Sequence, residues 1–351
     1  GAIPLRERLQ QVTWAWFTIT MATGGISILL HETPNQFSGL QTIGAVVFVF
    51  NLVLFFLTLL CLCLRFYLHP GSLQKSLSTP SECLFFGTFW LTIATILNDV
   101  HFYGVEACGP WLVDAERVCF WAYMAITFLT SVFQYWFLFT GEHVTLQTFS
   151  PGWIIPIFPC MLTGTLASTI SKDQSPDQAL PMIIAGTTFQ GLGFMVAVLM
   201  YSNFIGRLLT GGLPDTNHRP GMFIAVGPPS FTALALIGMA TVALDKLPEY
   251  RIVGTRSVAT PEVFVILAVC TGIFLWALAF WFFSLALVST LAHVRQLQYS
   301  LAWWAFVFPN VGFILSFIRI GKALDSDAIL WLSSVATVVL VIVWLFVFFC
   351  H

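Results

Sequence analysis

The stretch MATGGISILL, Met21 to Leu30, decides how this chain folds. It continues an apolar run that begins at Thr13, and it has the character of a membrane helix with a soft place in it. Gly24 and Gly25 stand side by side where a spanning helix should be firm, and Thr20, Thr23 and Ser27 place hydroxyls among apolar side chains. Inside a bilayer no water satisfies loosened backbone or buried hydroxyls, so both features require partners within the protein or a water-filled cavity.

The composition makes the bilayer reading firm. Of 351 residues, 58% are hydrophobic and 9% charged, against about 25% charged in soluble domains. The net charge of -2 gives no case for nucleic-acid binding. No Walker A, GxGxxG, HExxH or CxxC pattern occurs, so neither cofactor nor metal is expected. Cys61 and Cys63 lie in an apolar run and read as packing. Cys108 and Cys119 flank a polar loop, and pairing and free thiols both stand open. Gly1 in place of a Met, and an end at His351 directly after an apolar run, point to a trimmed chain without soluble tails. The first run lacks a small-residue cleavage site and is not read as a signal peptide.

Crossing the hydrocarbon core takes about 20 apolar residues. Ten such runs are expected: Thr13–Leu30, Gln41–Leu64, Glu82–Asn98, Val118–Thr140, Pro151–Ile170, Pro181–Asn203, Phe223–Leu244, Glu262–Thr290, Ser300–Ile318 and Ala328–Cys350. They are too long and continuous for barrel strands. The odd runs begin 69, 69, 72 and 77 residues apart, which predicts five tandem helical hairpins in one all-α transmembrane domain over residues 1–351. Gly plus Pro totals 14 in the odd runs and 6 in the even ones. The odd helices therefore read as an inner ring around a pore and the even ones, rich in Phe, Val and Leu, as a lipid-facing outer ring. Arg6, Arg8, Arg65 and Lys75 favour an N-terminus in the cytoplasm, and an even number of spans puts the C-terminus there too.

Residues three and four apart share a helix face. The odd runs carry polar lines of that spacing: Thr20, Thr23, Ser27 and His31; Thr88, Thr92, Thr95 and Asp99; Thr165, Ser168 and Lys172; Ser230, Gly238, Thr241 and Asp245, interrupted by Leu234; and Phe308, Gly312, Ser316 and Arg319. Their ends, His31, Asp99, Lys172, Asp245 and Arg319, follow one another by 68, 73, 73 and 74 residues and are expected as a charged ring at the outer mouth. Intramembrane polar residues of this kind usually face an interior or a water-filled cavity. The ordinary reading stands beside it: hydroxyls also bond their own backbone, and helix ends are often charged. Pro151, Pro156 and Pro159, and Pro228 and Pro229, break the fifth and seventh runs. Broken helices line substrate sites in many transporters, and simple kinks elsewhere.

With these residues in view, FTITMATGGISILL in the first span and AWWAFVFP, Ala302 to Pro309, in the ninth resemble the tellurite-resistance/dicarboxylate transporter family. That family includes fungal malic acid transporters, yeast sulfite pumps, a bacterial tellurite-resistance channel homologue and plant slow anion channels. The resemblance covers nearly the whole chain, and TWAWFTITMATGGI is most similar to the fungal malic acid branch. It implies a homotrimer with one pore per subunit, five inner helices within five outer ones, and a helix-nine phenylalanine blocking the pore. Phe308 matches that position, with Phe306 as the fallback.

The expected function is plasma-membrane transport of C4-dicarboxylates such as malate, with protons as a candidate co-substrate and Phe308 as gate. A sulfite or small-anion exporter or channel is the alternative within the fold. A dianion calls for a fixed cation on its path, and Arg319 is best placed by phase, then Lys172, with Arg117 and Arg256 near the same face. His31 and His101 can titrate between pH 5 and 8. A membrane enzyme would need an acid/base or metal constellation, and the adjacent Glu142 and His143 diverge on a helix. A sensor would more naturally have unlike helices.

Overall fold

In the computed structural model, which describes residues 5–140, 145–251 and 259–351, no strand occurs among the described residues. Ten α-helices of eight residues or more are present among them. They are α1 Phe17–Glu32, α2 Leu40–Leu68, α3 Phe86–Cys108, α4 Pro110–Thr140, α5 Thr163–Ile170, α6 Pro176–Gly211, α7 Gly227–Lys246, α8 Thr260–Leu291, α9 Phe308–Ala323 and α10 Asp327–Cys350. Among the described residues, eight helical segments are long and apolar enough to cross a membrane. The two expected spans that fall short are Thr13–Leu30 and Pro151–Ile170. Their first residues wind into the 3-10 turns Trp14–Trp16 and Pro151–Ile154, leaving shorter α-helical pieces.

A leading irregular piece recurs along the chain. The 3-10 segments Thr216–Val226 and Leu301–Phe306 precede α7 and α9, and the short helix Pro80–Cys83 precedes α3. Proline explains much of this, because it fixes φ and lacks an amide, which suits the first helical turn and breaks any later one. Pro228, Pro229 and Pro309 sit in the opening turns of α7 and α9. By contrast α2, α4, α8 and α10 run unbroken for 24 to 32 residues. Burial follows the same division. The apolar stretch within Thr216–Lys246 is 89% buried, whereas those in α2 and α8 are each 22% buried.

The hydroxyls of α1 hold this packing together. The Thr20 and Thr92 hydroxyls lie 2.9 Å apart, and Thr92 also donates to the Phe17 carbonyl. Ser27 donates to the Gly44 carbonyl of α2, and the Trp344 indole of α10 donates to Thr23 at 3.2 Å. Gly24 is the point of closest approach: a Cβ there would stand 2.5 Å from Thr95 Oγ1 and 2.7 Å from Asn51 Nδ2. So one glycine of the opening stretch lets α1 lie between α2 and α3. At the N-terminal side, the buried Arg65 pairs with both carboxylate oxygens of Glu82 at 3.0 Å and donates to the Val12 carbonyl, anchoring the segment before α1.

Candidate anion path

Three aromatic rings meet at the centre of the buried helices. Phe308 begins α9, where the 3-10 turn Leu301–Phe306 gives way to a helix with Pro309 in its first turn. Its ring is 1% exposed, stacks on Phe231 of α7 at 5.1 Å between centroids and lies 6.1 Å from Phe158. Two glycines make room for this cluster. A Cβ at Gly312 would come within 2.6 Å of the Phe231 ring, and one at Gly227 within 2.6 Å of Phe158. Gly25, the second glycine of the opening stretch, faces Phe308 itself, its Cβ position 3.4 Å from Cδ2.

Phe308 lines two cavities at once. The larger, about 550 Å³, opens toward the N-terminal side and includes Thr88, Ser150, Phe158, Arg207 and His218 in its wall. The smaller, about 40 Å³, runs from Phe308 and Phe231 to Glu32 and Arg319. Phe306, by contrast, packs edge-on against Phe223 at 5.4 Å and belongs to neither wall. A volume of 40 Å³ holds about one or two waters and no organic dianion, and Phe308 stands between this cavity and the larger one.

The smaller cavity shows where the polar lines fall. Thr95, Thr165, Ser168, Phe308 and Arg319 line it, together with Asn98 and Thr169. Thr88 lines the larger one. The other expected lining residues lie on different faces. Thr20, Thr23, Ser27 and Thr92 join helices to one another, as above. Ser230 donates to the carbonyl of Val226 just before α7, Thr241 and Ser316 donate to the carbonyls of Ile237 and Phe313 on their own helices, and Gly312 is filled by Phe231. On α1 the wall is formed by Gly25, Ile28 and Glu32, and on α9 by Phe308, Val311, Leu315 and Arg319.

The expected ring of five is also rearranged. Arg319 Nη2 pairs with Glu32 Oε1 at 3.0 Å, and Lys322 Nζ lies 3.6 Å from Glu32 Oε2. Lys172, in the turn after α5, sits over the Phe102 ring at 5.9 Å. Burial, and next the positive charge of Arg319, push its ammonium down to about 8, with Glu32 opposing. Lys172 lies within electrostatic reach of Arg319, Glu32 and Lys322, and neither Glu32 nor Lys322 was among the candidates named from the sequence. His31 stacks on Phe102 at 4.3 Å instead of facing the cavity. Asp99 is fully buried beside Ser27 and Tyr103, one turn inside the bundle, and Asp245 is exposed outside the group. His101 lies between Glu116 at 2.9 Å and Asp173 at 3.4 Å, and Arg117 bonds Asp114 and Gln174. Arg256, Glu142 and His143 fall outside the described residues. Cys108 and Cys119 are both free thiols. Among the described residues no group of His, Cys, Asp and Glu has metal-holding geometry.

A helical membrane protein, with two cavities meeting at a buried aromatic cluster and fixed cations at the far end of the smaller one, has parts that suit an anion-conducting protein. The sequence profile described as voltage-dependent anion channel matches residues 11–351, and the chain belongs to that family. It is 38% identical over 346 residues to a protein of Schizosaccharomyces pombe named malic acid transport protein, covering 98% of this chain and 78% of the relative. A second S. pombe protein, named putative malic acid transport protein, is 36% identical, with coverage of 97% and 79%. A protein of Trichophyton rubrum named sulfite efflux pump SSU1 is 25% identical, with coverage of 95% and 88%.

Proposed function

We propose that this chain carries C4-dicarboxylates such as malate across the membrane along the path through Phe308, with Arg319 receiving a substrate carboxylate. The observation that carries the reading is that Phe308 separates two cavities, the smaller of which ends at Arg319. Arginine is suited to that task because its planar guanidinium takes a carboxylate through two parallel hydrogen bonds. The phenylalanine acts as a removable apolar barrier, since a dry constriction stops ions without any fixed charge. Identity of 38% to a malic acid transport protein supports malate over the sulfite alternative, whose relative is 25% identical.

The architecture belonging to this reading is ten membrane segments in five hairpins, with the odd ones around the path. The short α1 and α5 then cross with their leading 3-10 turns, and the contrast in burial supports that arrangement. The functional unit is a homotrimer in the plasma membrane with a path in each subunit and both termini in the cytoplasm. Arg319 then faces outward and the 550 Å³ cavity inward. No catalysis is part of the reading. Its test is accumulation of labelled malate by cells that lack uptake of their own and express this protein. Accumulation above the empty-vector level supports the reading. Background uptake with the protein present at the cell surface overturns it.

A further inference from the structure

Glu32 is an unexpected group on an anion path, for it puts a fixed negative charge beside the cation that the anion needs. Its carboxylate is nearly buried, with Oε1 on Arg319 at 3.0 Å and Oε2 3.6 Å from Lys322. Both Glu32 and Arg319 belong to the wall of the 40 Å³ cavity. The residues that could satisfy a displaced partner are also present. Lys322 is half exposed at the rim, and Lys172 lies within the electrostatic reach of Arg319 and Glu32.

We infer that Glu32 is a specificity-determining residue, whose carboxylate occupies the Arg319 position that one carboxylate of a transported dianion takes, and thereby excludes monoanions. The inference rests on the anion-path reading above. To pass, an anion must exchange with Glu32 on Arg319. A dianion brings two carboxylates, one for the Arg319 fork and a second to answer Lys172. Glu32 swings outward with Lys322 still beside it, so no charge is left buried alone, which would be the costly outcome. Chloride brings one charge and no fork. It cannot answer both cations that Glu32 spans, Arg319 through Oε1 at 3.0 Å and Lys322 near Oε2 at 3.6 Å, so Glu32 keeps the site closed to it. The groups facing Glu32 from the packed elements are Arg319, Lys322, Lys172 and His31, with Asp173 next to Lys172 engaged by His101.

The test is chloride conductance of purified protein in liposomes, wild type against Glu32→Gln. Glutamine keeps the size and loses the charge. Conductance should rise about tenfold, the gain expected when a repelling charge is removed from a narrow positive mouth. Glu32→Asp, which retains the charge but shortens the reach, should rise less and serves as the second variant if the glutamine form does not fold. Conductance unchanged in folded Glu32→Gln, or unchanged in Glu32→Asp where only that variant folds, overturns the inference. The chloride readout does not depend on malate being the substrate. A wild type that fails to carry malate therefore counts against the proposed function, while a chloride rise in Glu32→Gln still supports the role of Glu32.

Discussion

Replacing Phe308 by alanine separates a gate from ordinary packing. The ring is held by two aromatic neighbours, Phe231 at 5.1 Å and Phe158 at 6.1 Å. Each such pair is worth about 0.5–1.5 kcal/mol beyond area burial, so swinging the ring aside costs about 1–3 kcal/mol. If that movement limits passage, removing the ring raises flux by about 5- to 150-fold. The stability cost should stay modest for a buried phenylalanine. Phe→Ala in a sealed core costs about 3–5 kcal/mol, but here the vacated space joins a 550 Å³ cavity that water can fill. We expect the low end of that range. The assay is anion efflux from liposomes at matched protein content, with thermal unfolding measured on the same preparations. Flux within about twofold of wild type, with unfolding lowered as for a core residue, would refute the reasoning and leave Phe308 a packing residue.

Further outcomes follow from the cation cluster and its glycines. Arg319→Ala should lower malate uptake by about ten- to hundredfold, the loss of a charge-assisted hydrogen-bond pair, and Arg319→Lys should restore only part of it because the fork is gone. Lys172 is charged below about pH 8 and neutral above it, since burial and Arg319 hold its pKa down. Anion uptake should therefore fall as external pH rises through 8, flatten in Lys172→Gln, and persist at alkaline pH in Lys172→Arg, as read from initial rates across pH 6.5–9.5. Gly312→Ala puts a methyl within 2.6 Å of the Phe231 ring. It should destabilise the purified protein by about 1–3 kcal/mol in thermal unfolding, with raised leak if Phe231 is displaced from Phe308.

The bilayer class, the all-helical fold and the segregation of Gly and Pro could be read from residue order, because each reflects a coarse physical need. Lipid demands apolar runs, and loosened helices demand protein neighbours. The segments PGWIIPIFP and GPPS also announced irregular backbone at the start of their runs, because proline dictates it locally. The phase of the cavity wall was harder. A hydroxyl at helical spacing satisfies a neighbouring carbonyl as readily as it lines water, and Ser27 did the former with Gly44 and Thr23 with Ile19, Thr23 also accepting from the Trp344 indole. The wall of α1 contains Ile28, so its face did not look polar. Glu32 stood four residues beyond Ile28 on that face, hidden beside the more conspicuous His31. Asp99 carried the right spacing but pointed between α1 and α3, where only the three-dimensional packing reveals Ser27 and Tyr103 as its neighbours.

The most direct measurement of the central claim is initial-rate uptake of labelled malate, sulfite and chloride, each separately, into liposomes containing only the purified protein. The account predicts saturable malate uptake, inhibited by another C4-dicarboxylate and little by chloride, and strongly reduced in Arg319→Ala. Sulfite or chloride entering freely while malate uptake equals that of protein-free liposomes would contradict it.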